Sequence, residues 1–155
     1  MKKILFTAVL VIASIIEINA QGFEYKVITS VESIVPMGLG RSRIISSDQE
    51  QDYKAFTSLR SKENKKQNKS KRKDVKIDQF EETKLVNFYS IAGINFKNIA
   101  SNDAVISSKI NTMVTEGWDL AFVVSGVESD SGKGDGKGIY ITRYIFKRLK
   151  AQEVN

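Results

Sequence analysis

NDAVISSKINTMVTEGWDLAFVVSGV, residues 102–127, is the stretch on which the fold turns. Ile106, Ile110, Met113 and Val114 recur at helical spacing and place one apolar face on a helix. Ser101 or Asn102 is suited to cap its start, with Asp103 in the first turn, where the helix dipole favours a negative charge. Gly117 follows the last periodic residue, as a left-handed helix C-cap requires. Trp118 to Val127 then reads as the most apolar strand of the chain. A helix over Asn102–Glu116 that stops and turns directly into a strand sets the reading of everything around it.

Outward from this stretch, β-branched and aromatic residues mark the strands. Phe23, Tyr25, Val27, Thr29 and Val31 alternate along one face of a first strand. Pro36 to Gly40 reads as a turn, and Arg41 to Ser47 as a short strand returning on the first. Tyr53, Phe56 and Leu59 suggest a short helix over Asp48–Leu59. Strand character resumes at Lys84–Ile91, and Ile139–Leu149 forms a last strand after a Gly/Asp/Ser/Lys loop over Glu128–Gly138. The order β-β-insert-β-α-β-β implies an α+β domain: an antiparallel sheet of four to five strands with one main helix on one face. The expected core is Ile106, Ile110, Met113 and Val114 from the helix against Tyr25, Val27, Leu120, Phe122, Val124 and the 139–146 strand.

The chain begins with a separate signal. Lys2 and Lys3 precede thirteen apolar or small residues, Ile4 to Ile16, and a polar stretch ending on Ala20. That is the layout of a signal peptide over residues 1–20, too short to span a bilayer, which needs about 20 apolar residues. Residues 21–155 are then one exported domain, periplasmic or secreted, without a transmembrane segment. With no cysteine, its core must hold without disulfides. With no histidine, it lacks Ser-His-Asp and Cys-His nucleophiles, the usual zinc sets and histidine-ligated haem. No metal or cofactor is expected.

The 155 residues carry a net charge of +6, and most of it is local. Nine cations lie between Arg60 and Lys76, among them Lys65, Lys66, Lys69, Lys71, Arg72 and Lys73, opposed by Glu63 and Asp74 alone. Ser61 to Asp74 has no apolar residue, so this basic insert, about 60–76, is expected to be disordered. Its charge suits an anionic polymer or an anionic lipid surface. Nucleic acid is a poor partner, because no aromatics interleave to stack bases and the chain is read as exported. Asn68-Lys69-Ser70 fits a glycosylation sequon, which matters only on a eukaryotic secretory route.

Three motifs of the 23–149 region resemble a small bacterial family. Glu24-Tyr25-Lys26-Val27 opens the domain, Glu116-Gly117-Trp118-Asp119-Leu120 follows the helix, and Tyr144-Ile145-Phe146-Lys147-Arg148 closes it. The trio resembles the domain of unknown function 4177 type, over Phe23–Val31 and Ala104–Arg148, with the insert from Pro36 to about Glu81 as a departure. The resemblance implies the fold and a bacterial source, and no activity.

Other motifs have plain readings. Gly126, Gly132, Lys133 and Gly134 miss the P-loop spacing, and Asp130 and Asp135 miss that of a calcium loop, so residues 128–138 read as a hairpin loop. Trp118 reads as a core side chain. Gly38, Gly40, Arg41 and Arg43 are the candidate anion nest, with the two arginines on one strand face, against the plainer reading of a glycine turn with solvated arginines. Two functions remain. One is a non-enzymatic exported accessory or binding domain for an anionic envelope component. The alternative is a carboxylate-dependent hydrolase or lyase with Glu32 or Glu116 beside Arg41. The absence of a catalytic constellation puts the first ahead and leaves enzyme activity open.

Overall fold

The stop at Gly117 has the geometry its sequence requires. Gly117 takes φ of +85°, its N–H donates to Val114 O and the Trp118 N–H to Met113 O, both at 3.0 Å. These two bonds close the last helical turn and redirect the chain into a strand. The computed structural model describes residues 22–33, 42–63, 68–90, 92–128 and 138–151. The expected leader, residues 1–20, lies outside them, as do Pro36–Arg41 and most of the 128–138 loop.

The described chain runs β1 (Phe23–Ser33), β2 (Arg43–Ser46), β3 (Glu81–Lys84), β4 (Tyr89–Ser90), β5 (Gly93–Ile94), α1 (Phe96–Thr115), β6 (Asp119–Glu128) and β7 (Ile139–Leu149). Five strands form one antiparallel sheet in the order β3-β2-β1-β7-β6, while β4 and β5 make a small separate hairpin. The two longest strands, β1 and β7, pair in full from Phe23↔Leu149 to Ser33↔Ile139. The helix packs on the sheet, as the α+β reading expects.

Three local expectations need correction. Helix α1 starts at Phe96, six residues before Asn102. Its cap is Asn95, whose Oδ1 accepts the Asn98 N–H at 3.2 Å. The added turns carry Phe96, Ile99 and Ala100 at helical spacing, a signal that a start at Ser101 or Asn102 left unused. The strand expected over Lys84–Ile91 splits into β3 and the two residues of β4. Between them Leu85 is buried, and its N–H still reaches Ser42 O at 3.0 Å. The helix expected over Asp48–Leu59 is a single 3-10 turn, Tyr53–Phe56, capped by Asp52.

The core faces the other way from the expected one. Its buried side chains are Ile28, Ile44, Leu85, Met113, Trp118 and Phe146, with Val105, Ile106, Ile110 and Tyr144 packed against them. Tyr25 and Phe122, expected inside, are 60% and 62% exposed. Val27, Leu120, Val124 and Val114 are exposed as well. Both parities of β6 and β7 carry apolar residues, and in β1 the apolar parity of Phe23, Tyr25, Val27 and Val31 lies on the open side while Ile28 is buried among Lys26, Ser30 and Glu32, so alternation does not identify the buried side. The helix covers the side of Ile28 and Phe146. The core there is close to filled: the space left among Ile28, Ile44, Ile110 and Phe146 is about 10 Å³, and these apolar walls offer a water no partner.

One polar residue ties the layers. Asn102, expected at the helix cap, sits inside α1 and is 1% exposed. Its Oδ1 accepts the Val86 N–H at 2.9 Å, and its Nδ2 donates to Val86 O at 2.8 Å and to Glu32 Oε1 at 2.9 Å. The amide thus stands in for a strand neighbour of Val86, which leaves no buried backbone group there unpaired.

Candidate functional site

The glycine-arginine nest is reduced to Arg43. Gly38, Gly40 and Arg41 lie outside the described residues. Arg43 sits on β2, where its Nη1 donates to Glu82 Oε1 on β3 at 2.8 Å. Its charge is already engaged by a neighbouring strand.

The carboxylates named for the alternative function are apart. Glu32 is held by Asn102. Glu116 caps the far end of α1, fourteen residues on, about 21 Å at 1.5 Å per residue. Arg41, expected beside one or the other, lies outside the described residues. Glu116 does line a groove of about 600 Å³ with Glu24, Lys26, Asp48, Glu50, Trp118 and Arg148 among its walls. Its two cations are each held by a carboxylate, while Glu50 and Glu116 take part in neither pair. Arg148 Nε bonds Glu24 while its guanidinium stacks 4.2 Å from the Trp118 ring, and Lys26 pairs with Asp48. The hydrogen bond and charge of Lys26 hold the Asp48 carboxyl below its ordinary value. Glu81 is likewise lowered, first by its bond from Lys109 and then by one from Ser46. Both are anions at neutral pH, unsuited to donating a proton. Among the described residues no cluster of three acidic side chains is placed to hold a metal ion.

The basic insert is organised by a feature its composition conceals. Asn68 Nδ2 donates to Ala55 O at 2.8 Å and to Thr57 O at 3.1 Å, its N–H reaches Ser58 Oγ at 2.6 Å, and its Oδ1 accepts the Ser70 N–H at 2.7 Å. One side chain therefore fastens residue 68 to the 55–58 segment. The sequon asparagine is a knot in the loop, with its amide occupied. Beyond it Arg72–Val75 makes a 3-10 turn in which Asp74 Oδ2 accepts the Lys71 N–H at 2.9 Å. Where composition argues for disorder, residues 68–76 take a turn held by polar bonds, with no buried residue in it. Residues 64–67, with Lys65 and Lys66, lie outside the described residues.

The knot brings the two arms of the insert to one place. Lys54, Arg60 and Lys62 lie on one arm, and Lys69, Lys71, Arg72, Lys73 and Lys76 on the other, all exposed. Of the three acids in this lobe, Asp52 accepts the Lys54 N–H and Asp74 the Lys71 N–H, while Glu63 is exposed on the first arm, so the eight cations outnumber the acids. The result is a solvent-facing cationic surface. The sequence reading located the charge but missed Asn68. The available signal was the Asn-Lys-Ser triplet itself, because Asn readily bonds backbone two residues on.

Compared with known proteins, the chain matches no family model, no curated protein and no solved structure.

Proposed function

We propose that the chain is an exported, non-enzymatic binding domain whose basic lobe, residues 52–76, holds an anionic component of the cell envelope. The observation that carries this reading is the Asn68 knot, which gathers eight exposed cations on one lobe while Asp52 and Asp74 serve the backbone. Such a surface attracts phosphate- or carboxylate-bearing polymers and anionic headgroups by long-range charge. It holds them through release of counterions, so binding weakens steeply with salt. A filled core and a groove whose two cations are both held in ion pairs support binding over catalysis. The signal-peptide layout of residues 1–20 supports the envelope as the place of action.

The test is binding of the full chain, and of a variant lacking Ser61–Lys73, to soluble polyphosphate and to phosphatidylglycerol vesicles. Salt-sensitive binding by the full chain, lost in the variant, is the expected result. Retention of polyphosphate alone assigns a polymer, and retention of vesicles assigns a lipid surface. Equal binding by both proteins removes the lobe from the account.

A further inference from the structure

The sheet has one covered face and one open one. Antiparallel sheets with a solvated side normally alternate apolar inward and polar outward. Here the side away from α1 is apolar too. Cross-strand partners share a face, and the register places Val27, Ile145 and Phe122 in one row across β1, β7 and β6. The neighbouring rows add Tyr25 and Leu149. Tyr25, Val27, Phe122 and Leu149 are 60%, 47%, 62% and 54% exposed. Strands that are apolar on both sides are the pattern of a sheet covered on both sides.

We infer that this open face is the interface of a homodimer, two copies meeting sheet to sheet. A flat twisted sheet fits a second such sheet, about 10 Å away with strands near 30° apart. The area suffices. At about 3.3 Å per residue and 4.8 Å between strands, the lengths of β1, β6 and β7 give a footprint of roughly 35 Å by 14 Å. Two copies then bury about 1,000 Å² even before side-chain relief is counted, the size at which specific interfaces begin. An exposed apolar surface of several hundred Å² is otherwise rare on a monomer. The face carries charge of both signs: Arg143 and Lys147 of β7, with Asp119 of β6 opposite Lys147. An interface held by apolar burial survives added salt, which screens charge and leaves burial in place. The basic lobe loses its anionic ligand under the same salt, so the two surfaces are separable in one titration.

The experiment is sedimentation equilibrium of the full chain, with Phe122→Glu, Val124→Glu and Val123→Glu variants. Phe122 and Val124 stand on the open face of β6. Val123 pairs with Tyr144 on the helix side of the same strand and is 52% exposed. The wild type is expected to have twice the mass of one chain at micromolar concentration. Phe122→Glu and Val124→Glu weaken association by about 100-fold, as loss of a central apolar anchor does. Val123→Glu leaves the dimer intact, and added salt does not dissociate it. A monomer at about 100 μM, a regime of only weak affinity, overturns the inference. Equal loss in all three variants also overturns it, because the exposed β6 edge would then be the contact. Should the glutamate variants fail the circular-dichroism check for folding, Thr29→Cys decides. The chain has no cysteine, so the thiol at mid-β1 is unique; a dimer cross-links through it with a flexible bis-maleimide that spans the about 10 Å between facing sheets, while Ser101→Cys on exposed α1 does not. Absence of that cross-link overturns the inference as well.

Discussion

The two-layer body and the basic lobe are held together by different forces. In the body, Phe146 and Met113 are 0% and 1% exposed, and the helix and sheet meet over apolar side chains. In the lobe, the turns Tyr53–Phe56 and Arg72–Val75 bury nothing, and Asn68, Asp52 and Asp74 hold backbone groups in place. Burial contributes stability in proportion to apolar area, whereas exposed hydrogen bonds exchange against water at little net gain. The body is therefore where stability resides, and the lobe is free to carry charge that a core would not tolerate. The difference explains how a chain can present so many cations in one place and still fold.

The comparison is broken most severely at Phe146. Replacing it with Ala removes a wholly buried ring between Ile28, Ile44 and the helix, and should cost about 3–5 kcal/mol in chemical denaturation. A loss under about 1 kcal/mol would mean that the helix does not rest on this face. Asn102→Ala comes next. It strands the Val86 N–H and C=O and frees Glu32, with an expected loss of about 2–3 kcal/mol by the same measurement. A near-neutral result would show that Val86 finds other partners.

Two smaller effects sharpen the comparison. The Ser30 hydroxyl is buried without a hydrogen-bond partner, so Ser30→Ala should be neutral or raise stability by up to about 1 kcal/mol. A clear loss would reveal a partner for that hydroxyl. The Lys26–Asp48 pair stands where the body meets the segment leading to the lobe. Because the folded Asp48 carboxyl is depressed below 3.8, its contribution is complete above that value and is lost as pH falls through the lowered one. Exposure of Asp48 keeps the effect small. Thermal melts of wild type and Asp48→Asn should therefore converge at low pH and differ slightly near neutrality. Curves that stay parallel would show that the pair contributes nothing.

How much of this was legible in the sequence depended on whether a local signal existed. The end of α1 was legible because Gly117 is the one residue type that adopts the positive φ at no steric cost. The start was missed because Ser101 and Asn102 offered a cap in the middle of the helix, although Asn95 with Phe96, Ile99 and Ala100 carries both a cap and an apolar period. An antiparallel sheet with one main helix followed from the order of elements, but the strand order and the choice of face did not. Phe122 and Val123 are both apolar, and only the pairing with β7 and the placement of α1 decide which points inward. Asn102 was noticed and given the wrong role, since its true partners, Val86 and Glu32, are distant in sequence. In the lobe the charge was plain from composition. Its concentration by Asn68 was hidden in bonds across ten to thirteen residues.

The division between body and lobe is tested most directly by the salt dependence of polyanion binding in a chain with Lys71, Arg72 and Lys73 all changed to Gln. All three are exposed and serve no core contact. The account predicts an unchanged melting temperature and a log–log salt slope shallower by up to about three, roughly one per cation removed. An unchanged slope, or a melting temperature that falls with the charges, would contradict it.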